Sequence, residues 1–310
     1  MRVTSKTPIC KMNSFHSSDF PLISIGIPVY NAQSTLAATI ESALAQDYTN
    51  FEILLSDNAS IDGSIEICRE YARRDCRIKF FEQSENIGAG ANFVFVLNQA
   101  NGEYFKWLAS DDIISINSLS LSVANLQENQ RNTSCSTPHL FDFESKSNVQ
   151  PVTFQLDGSE FSRIKSFFRS PGRSHGLFYS LIKRDLLNSF PLLSIEFFAW
   201  DWCLVLYLLS KGPMGLAQNS YLISGTNGIS SSTSVYAYYG LTGKKRILPF
   251  QKFTFGVLKT SSNWSALGRL LLISKLISLN FKNMFFEYRI LRHKISGLRK
   301  KLALFLKKLR

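Results

Sequence analysis

The sequence predicts an α/β fold with a mostly parallel central sheet and flanking helices, followed by a basic helical C-terminal segment. Three observations predict it. Short apolar, β-branched runs alternate with helical periodicities along residues 21–115, the pattern of βαβ units with right-handed crossovers. Polar side chains gather just past each strand-type run, where open α/β sheets place their ligands. The charge is also divided. Residues 235–310 hold 17 Lys and Arg against the single acid Glu287, a net of +16, and the remaining 18 basic and 22 acidic residues leave the rest at −4.

In chain order, LISIGI (22–27) is the first strand, and Ser34 or Thr35 is placed to cap a helix whose Leu36, Ile40 and Leu44 recur every four residues. FEILLS (51–56) is the second strand. Ser60 or Asp62 opens a second helix bearing Ile65 and Cys68, with Tyr71 or Ala72 completing its stripe. IKFF (78–81) is the third strand, and NFVFVLNQA (92–100) a helix with Phe93, Val96, Leu97 and Ala100 on one face. EYFKWLA (103–109) is the fourth strand and delivers Asp111 and Asp112. Residues 116–128 read as helical, whereas 131–175 is polar, Ser-rich and poorly periodic. FFAWDWCLVLYLLSKG (197–212) predicts a helix apolar around most of its circumference, hence buried, and stopped by Gly212 with Pro213 behind it. From 244 onward basic residues alternate with Leu, Ile and Phe, ending in RKKLALFLKKLR.

Composition excludes several classes. At 310 residues and 45% hydrophobic the chain suits one large domain or two ordinary ones. Five scattered cysteines without a C-x-x-C pair argue against a disulfide framework or a zinc site and fit a reducing compartment. The first 20 residues lack an apolar signal-type core. The most apolar stretch, 267–281, is broken by Arg269 and Lys275 and is too short to span a bilayer, so the expectation is a soluble or peripheral protein, cytoplasmic or on the inner face of the cytoplasmic membrane. Because the basicity is confined to the C-terminal segment, the pI of 9.5 does not identify a nucleic-acid binder.

The residues just past the strand ends are Pro28 to Asn31, Asp57 and Asn58, Glu85 to Gly88, and Ser110 to Asp112. Asp111 and Asp112 alone read as a turn, yet at a strand's carboxyl end they are placed to hold a divalent cation such as Mg²⁺ or Mn²⁺. Asp57 serves equally as a turn cap or as a partner for a ribose or base. A dinucleotide site is excluded at the first turn, because PVYNAQS has no glycine, and the lone G-x-G at Gly88 and Gly90 follows the third strand. Asp201, between Trp200 and Trp202, is either a helix-start acid favoured by the dipole or a carboxylate whose apolar neighbours suit a general base. His175 reads as structural or acceptor-side.

IPVYNAQSTLAATIESALAQDYTNFEILLSDNASIDGS, then ENIGAGANF, GEYFKWLASDD and the Asp201–Trp202 helix, closely resemble the family 2 inverting glycosyltransferases of GT-A fold. The resemblance is dense over 21–115 and resumes across about 172–230. It implies 21–115 as the nucleotide-sugar-binding half, 116–234 as the acceptor half, 1–20 as an extension and 235–310 as a basic appendage. It also implies a nucleotide-diphospho-sugar donor of UDP type, Mn²⁺ or Mg²⁺, and a saccharide or lipid-linked acceptor. Pro28 and Tyr30 would line the base pocket with Asn31 beside them, and Asp57 would bond the base. Asn86 and Gly88 would shape the sugar–nucleotide wall. Asp111 and Asp112 match the D-x-D-type motif for ribose, metal and diphosphate, and Asp201 falls at the general base.

Two departures stand out. Ala109 replaces an acid that many members carry, and YLISGTNGIS lacks the Arg and His that many relatives have there, so a cation for the diphosphate would come from Arg173 or the 244–246 cluster, or be absent. The expected role is cell-surface polysaccharide or glycolipid synthesis, with a catalytically silent, membrane-associated nucleotide-binding scaffold as the alternative. The terminal LRKKLALFLKKLR suits either docking on the domain or attachment to an anionic membrane.

Overall fold

The computed structural model describes residues 20–141, 156–169, 176–191, 199–225, 250–260 and 264–281. Most of the N-terminal extension, Arg173, His175, the 244–246 cluster and the terminal RKKLALFLKKLR lie outside these residues. The expected alternation is present: β1 (Ile23–Val29), α1 (Leu36–Leu44), β2 (Phe51–Asp57), α2 (Ser64–Arg74), β3 (Ile78–Glu82), α3 (Ala89–Asn98) and β4 (Tyr104–Trp107). β1 pairs in parallel with both β2 and β4, and β2 with β3. Every residue of β1, β2 and β4 is buried, as strands covered by helices on both faces require.

Beyond β4 run β5 (Ile113–Ile114), α4 (Ser118–Glu128), β6 (Ser134–Ser136), β7 (His139–Phe141), α5 (Glu160–Phe167), β8 (Leu181–Lys183) and α6 (Arg184–Asn188). They are followed by α7 (Trp200–Lys211), β9 (Met214–Leu216), β10 (Leu222–Ser224), α8 (Gln251–Thr260) and α9 (266–281). The large sheet has seven strands in the order β3-β2-β1-β4-β8-β6-β9, and a small one runs β5-β10-β7. β8 lies antiparallel between β4 and β6, while β6 and β9 are parallel. The sheet is therefore mostly parallel, and the poorly periodic stretch after 131 contributes short strands that only a partner strand completes.

Several boundaries move for physical reasons. α3 begins at Ala89 rather than 92, because Gly88, at φ 89°, supplies a left-handed turn just ahead of it. α1 starts after Thr35, whose hydroxyl donates to the Ser110 carbonyl at 2.9 Å instead of capping the helix. α2 starts at Ser64, and Asp62 accepts from the Ser64 amide at 3.0 Å as the sequence allowed. α7 is enclosed from Cys203 through Leu209 and stops at Gly212, as its all-round apolarity predicts. No helix among the described residues is long and apolar enough to cross a membrane.

Candidate functional site

The carboxyl ends of the parallel strands are cross-braced. After β1, the Asn31 amide donates to Ser60 Oγ at 2.9 Å and Asn31 Oδ1 accepts from the Ile61 amide at 2.9 Å. After β2, Asn58 Nδ2 donates to Asn86 Oδ1 at 3.0 Å and Asn58 Oδ1 accepts from the Ile87 amide at 2.9 Å. Asn86 Oδ1 also accepts from the Gly88 amide at 2.9 Å. These bonds tie the loops after three strands into one rim. Pro28 is buried beneath it, whereas Tyr30 stands 49% exposed. Positive φ at non-glycine residues occurs, among the described residues, at Asn31, Ala59 and Ala199. All three border site residues, which is where backbone strain concentrates when the surroundings hold it.

Asp57 sits at the floor of the rim and is fully buried. Its Oδ2 accepts from the Ser60 amide at 2.9 Å, while Oδ1 meets no hydrogen-bond donor among the described residues. Burial pushes its carboxyl above the usual carboxylate range, with the Ser60 bonds pulling the other way. An enclosed carboxylate oxygen lacking a donor is costly, and it suits a site that awaits an N–H or O–H.

Asp111 and Asp112 follow β4. Asp112 is only 3% exposed, and its Oδ1 accepts from the Gly225 amide at 3.1 Å just past β10. Gly225 has to be glycine: a Cβ there would collide with the Asp111 carbonyl oxygen and come within 2.6 Å of its carboxyl carbon. Asp111 is partly exposed. Lys106, on β4, is 1% exposed and donates to the Tyr179 carbonyl. Burial draws its ammonium down to about 8, and Asp112 partly offsets this. The Tyr179 phenol is in turn held well above its ordinary value, chiefly by burial and then by Asp112, Asp111 and Asp201. The charges of all three carboxylates thus reach one buried phenol.

Aromatic packing positions the third acid. Trp107 stacks on Phe178 at 4.7 Å, and Phe178 meets Trp200 edge-on at 5.7 Å, which joins the end of β4 to the start of α7. Trp202 stacks on Phe250 at 5.7 Å. With a tryptophan anchored on either side, Asp201 in the first turn of α7 has little freedom, and it stays partly exposed rather than enclosed.

All the expected site residues thus fall at one edge of the sheet, in two groups. Pro28, Tyr30, Asn31, Asp57, Asn86 and Gly88 form the rim over β1–β3; Asp111 and Asp112 follow β4, and Asp201 opens α7, which Trp107, Phe178 and Trp200 join to the end of β4. Lys106, Tyr179 and Gly225 were missed. Lys106 left a signal, a lysine within the otherwise apolar YFKW, because a charge inside a central strand is rarely buried without a partner. Tyr179 and Gly225 left none, since they reach the acids only through the fold.

Among the described residues no three His, Cys, Asp or Glu side chains group as a complete metal shell. Two adjacent carboxylates still fit Mg²⁺ or Mn²⁺, because such ions take one or two carboxylates and fill their remaining positions with water and substrate phosphate.

The chain thus holds a mostly parallel α/β sheet with acids gathered beyond its strand ends and no glycine-rich dinucleotide turn at its first strand. The glycosyl transferase family 2 model matches residues 24–188, more than half of the chain, and the chain belongs to that family. An uncharacterised glycosyltransferase of Haemophilus influenzae is 43% identical over 97 residues, 31% of this chain and 39% of that protein. Glycosyltransferase GlyA of Streptococcus pneumoniae is 29% identical over 225 residues, covering 70% of this chain and 30% of that one. The chain spans 39 to 45% of the length of the curated relatives it matches first. Among solved structures, residues 1–349 of S. aureus TarS align with a TM-score of 0.58 at 17% identity, over 86% of this chain and 91% of that one. The mannosyltransferase PcManGT of Pyrobaculum calidifontis, solved with GDP-Man and Mn²⁺, aligns with a TM-score of 0.51 at 14% identity, over 91% and 88%. The fold is GT-A.

Proposed function

We propose that this protein is a metal-dependent inverting glycosyltransferase that moves a sugar from a nucleotide-diphospho-sugar, UDP-linked, to an acceptor hydroxyl. The observation that carries the reading is that Asp111 and Asp112 follow the end of β4, to which Trp107, Phe178 and Trp200 join the start of α7 and so Asp201. TarS has been solved with UDP and with UDP-GlcNAc, which supports a uridine donor for a chain of the same fold.

In this reading the base lies between Pro28 and Tyr30, and its N–H donates to the open Oδ1 of Asp57. Asn31 borders the same pocket, and Asn86 and Gly88 form the wall along the sugar nucleotide. Asp111 contacts the ribose and, with Asp112, holds Mn²⁺ or Mg²⁺. That cation, when bound, neutralises the charge developing on the leaving diphosphate. Asp201 accepts the proton of the acceptor hydroxyl as its oxygen attacks the anomeric carbon from the face opposite the diphosphate. A single displacement from that side inverts the anomeric configuration. The acceptor is a saccharide or a lipid-linked glycan of a cell-surface polymer, and the basic C-terminal segment suits a peripheral position on an anionic inner membrane face.

One observation favours the alternative of a silent nucleotide-binding scaffold: Asp112 is nearly enclosed and already engages the Gly225 amide. Calorimetry of UDP-sugars with and without Mn²⁺, on wild type and Asp112→Asn, separates the readings. Donor binding that Mn²⁺ strengthens in wild type but not in the variant is expected, together with slow donor hydrolysis. Binding indifferent to both metal and substitution would remove the metal assignment, and metal-linked binding without any turnover would leave the scaffold.

A further inference from the structure

The helix α9 (266–281) has two apolar faces. One packs on the domain: Leu272 is fully buried, Leu276 is 1% exposed, and Trp264 just ahead of the helix is 5% exposed. Its start is pinned, because the Ser265 amide and hydroxyl both donate to Glu160 Oε1 at 3.1 Å, and Ser265 Oγ caps the Gly268 amide at 3.0 Å. A Cβ at Gly268 would overlap the Glu160 carboxylate, so the helix lies hard against α5.

The opposite face carries Leu267 (65% exposed), Leu270 (65%), Ile273, Ile277 (51%) and Phe281 (52%), spaced three or four residues apart. Ala266, Ser274 and Ser278 share that outward arc, and none of them is charged. A helix held to a domain by one apolar face normally turns polar residues to water on the other. A continuous outward stripe of Leu, Ile and Phe marks a surface that something covers. Asn280 Nδ2 donates to Thr254 Oγ1 at 3.1 Å, which brings the end of α9 beside α8. There Phe255 stands 67% exposed, with the exposed Lys252 and Lys259 at helical spacing around it.

We propose that this face is the membrane-docking surface of the protein, and that its partner is an anionic lipid bilayer. The charge selects that occupant. Residues 250–281 carry Lys252, Lys259, Arg269 and Lys275 and no acid, within a segment of net charge +16. A second copy of so basic a surface would repel, whereas anionic headgroups attract each Lys or Arg near them while the stripe enters the headgroup–acyl boundary. This deepens the peripheral-membrane part of the functional reading and does not depend on the transfer chemistry. It separates the tail question into two parts: α9 docks on the domain with one face and offers the other to lipid.

The test is flotation of the full-length protein with vesicles of phosphatidylcholine alone and with phosphatidylglycerol added. Wild type is expected to float with the anionic vesicles and to leave them at high salt. Leu270→Gln with Ile277→Gln, both on the exposed stripe, is expected to lower the partition coefficient by roughly tenfold or more, with Tm and UDP binding unchanged. Asp112→Asn is expected to float like wild type, so failure of the donor site and failure of this surface appear separately. Flotation of the double variant equal to wild type would overturn the proposal, because the basic residues alone would then suffice. So would a lipid-free dimer of wild type that the same double substitution dissociates.

Discussion

The rim over β1–β3 and the acid cluster beyond β4 are built on different principles. Apart from Asp57 at its floor, the rim is neutral and local. Asn31 holds the Ile61 amide, and Asn58 holds Asn86 and the Ile87 amide, each a group past the next strand, across 28 to 30 residues of sequence. The acid cluster is charged and non-local: Asp112 reaches Gly225 across 113 residues, and Lys106 reaches Tyr179 across 73. Neutral bonds made by adjacent βα units each contribute about 1 kcal/mol and can be lost singly. A buried charge network stands or falls as a unit, because removing one partner leaves the others uncompensated.

That contrast can be broken by a pair of substitutions. Lys106→Met removes the buried donor to the Tyr179 carbonyl and the cation whose charge acts on Asp112, and is expected to cost about 3 kcal/mol in chemical denaturation. Asn58→Ala removes two neutral bonds of the rim and is expected to cost about 1 to 2 kcal/mol. Equal losses would mean that Lys106 is a packing residue rather than the counter-charge of the site.

A smaller effect sharpens the rim. Asp57 has a raised carboxyl pKa through burial, so folding favours its protonated form. Its contribution to stability is fully present below the ordinary carboxylate pKa, about 4, and is lost as pH rises through the raised value. Relative to Asp57→Asn, wild type is expected to lose stability between about pH 4 and neutrality, read as the difference between parallel denaturant titrations. A difference that stays flat with pH would show that Asp57 is not desolvated.

The same contrast explains what could be read from the sequence. β1 to β4 and the residues past their ends follow from alternating periodicity, because each βα unit specifies its own register. The residues Asp57, Asn86, Asp111 and Asp112 were therefore legible from position alone. The short strands β6, β8 and β9 have three residues each, too few for periodicity to register, and become strands only by pairing with one another and with β4. Tyr179 and Gly225 belong to that part of the chain. Asp201 was visible only as an acid between two tryptophans. Its place near the end of β4 depends on Trp107, Phe178 and Trp200 packing together, which no local pattern encodes.

The central claim is that Asp111, Asp112 and Asp201 form one reaction site, with Asp201 as the base. The most direct measurement is donor binding and sugar transfer on the same samples of wild type and Asp201→Asn. The account predicts unchanged affinity for the nucleotide-sugar and a fall in turnover of about 10² to 10⁴-fold. Turnover by Asp201→Asn equal to wild type would contradict it.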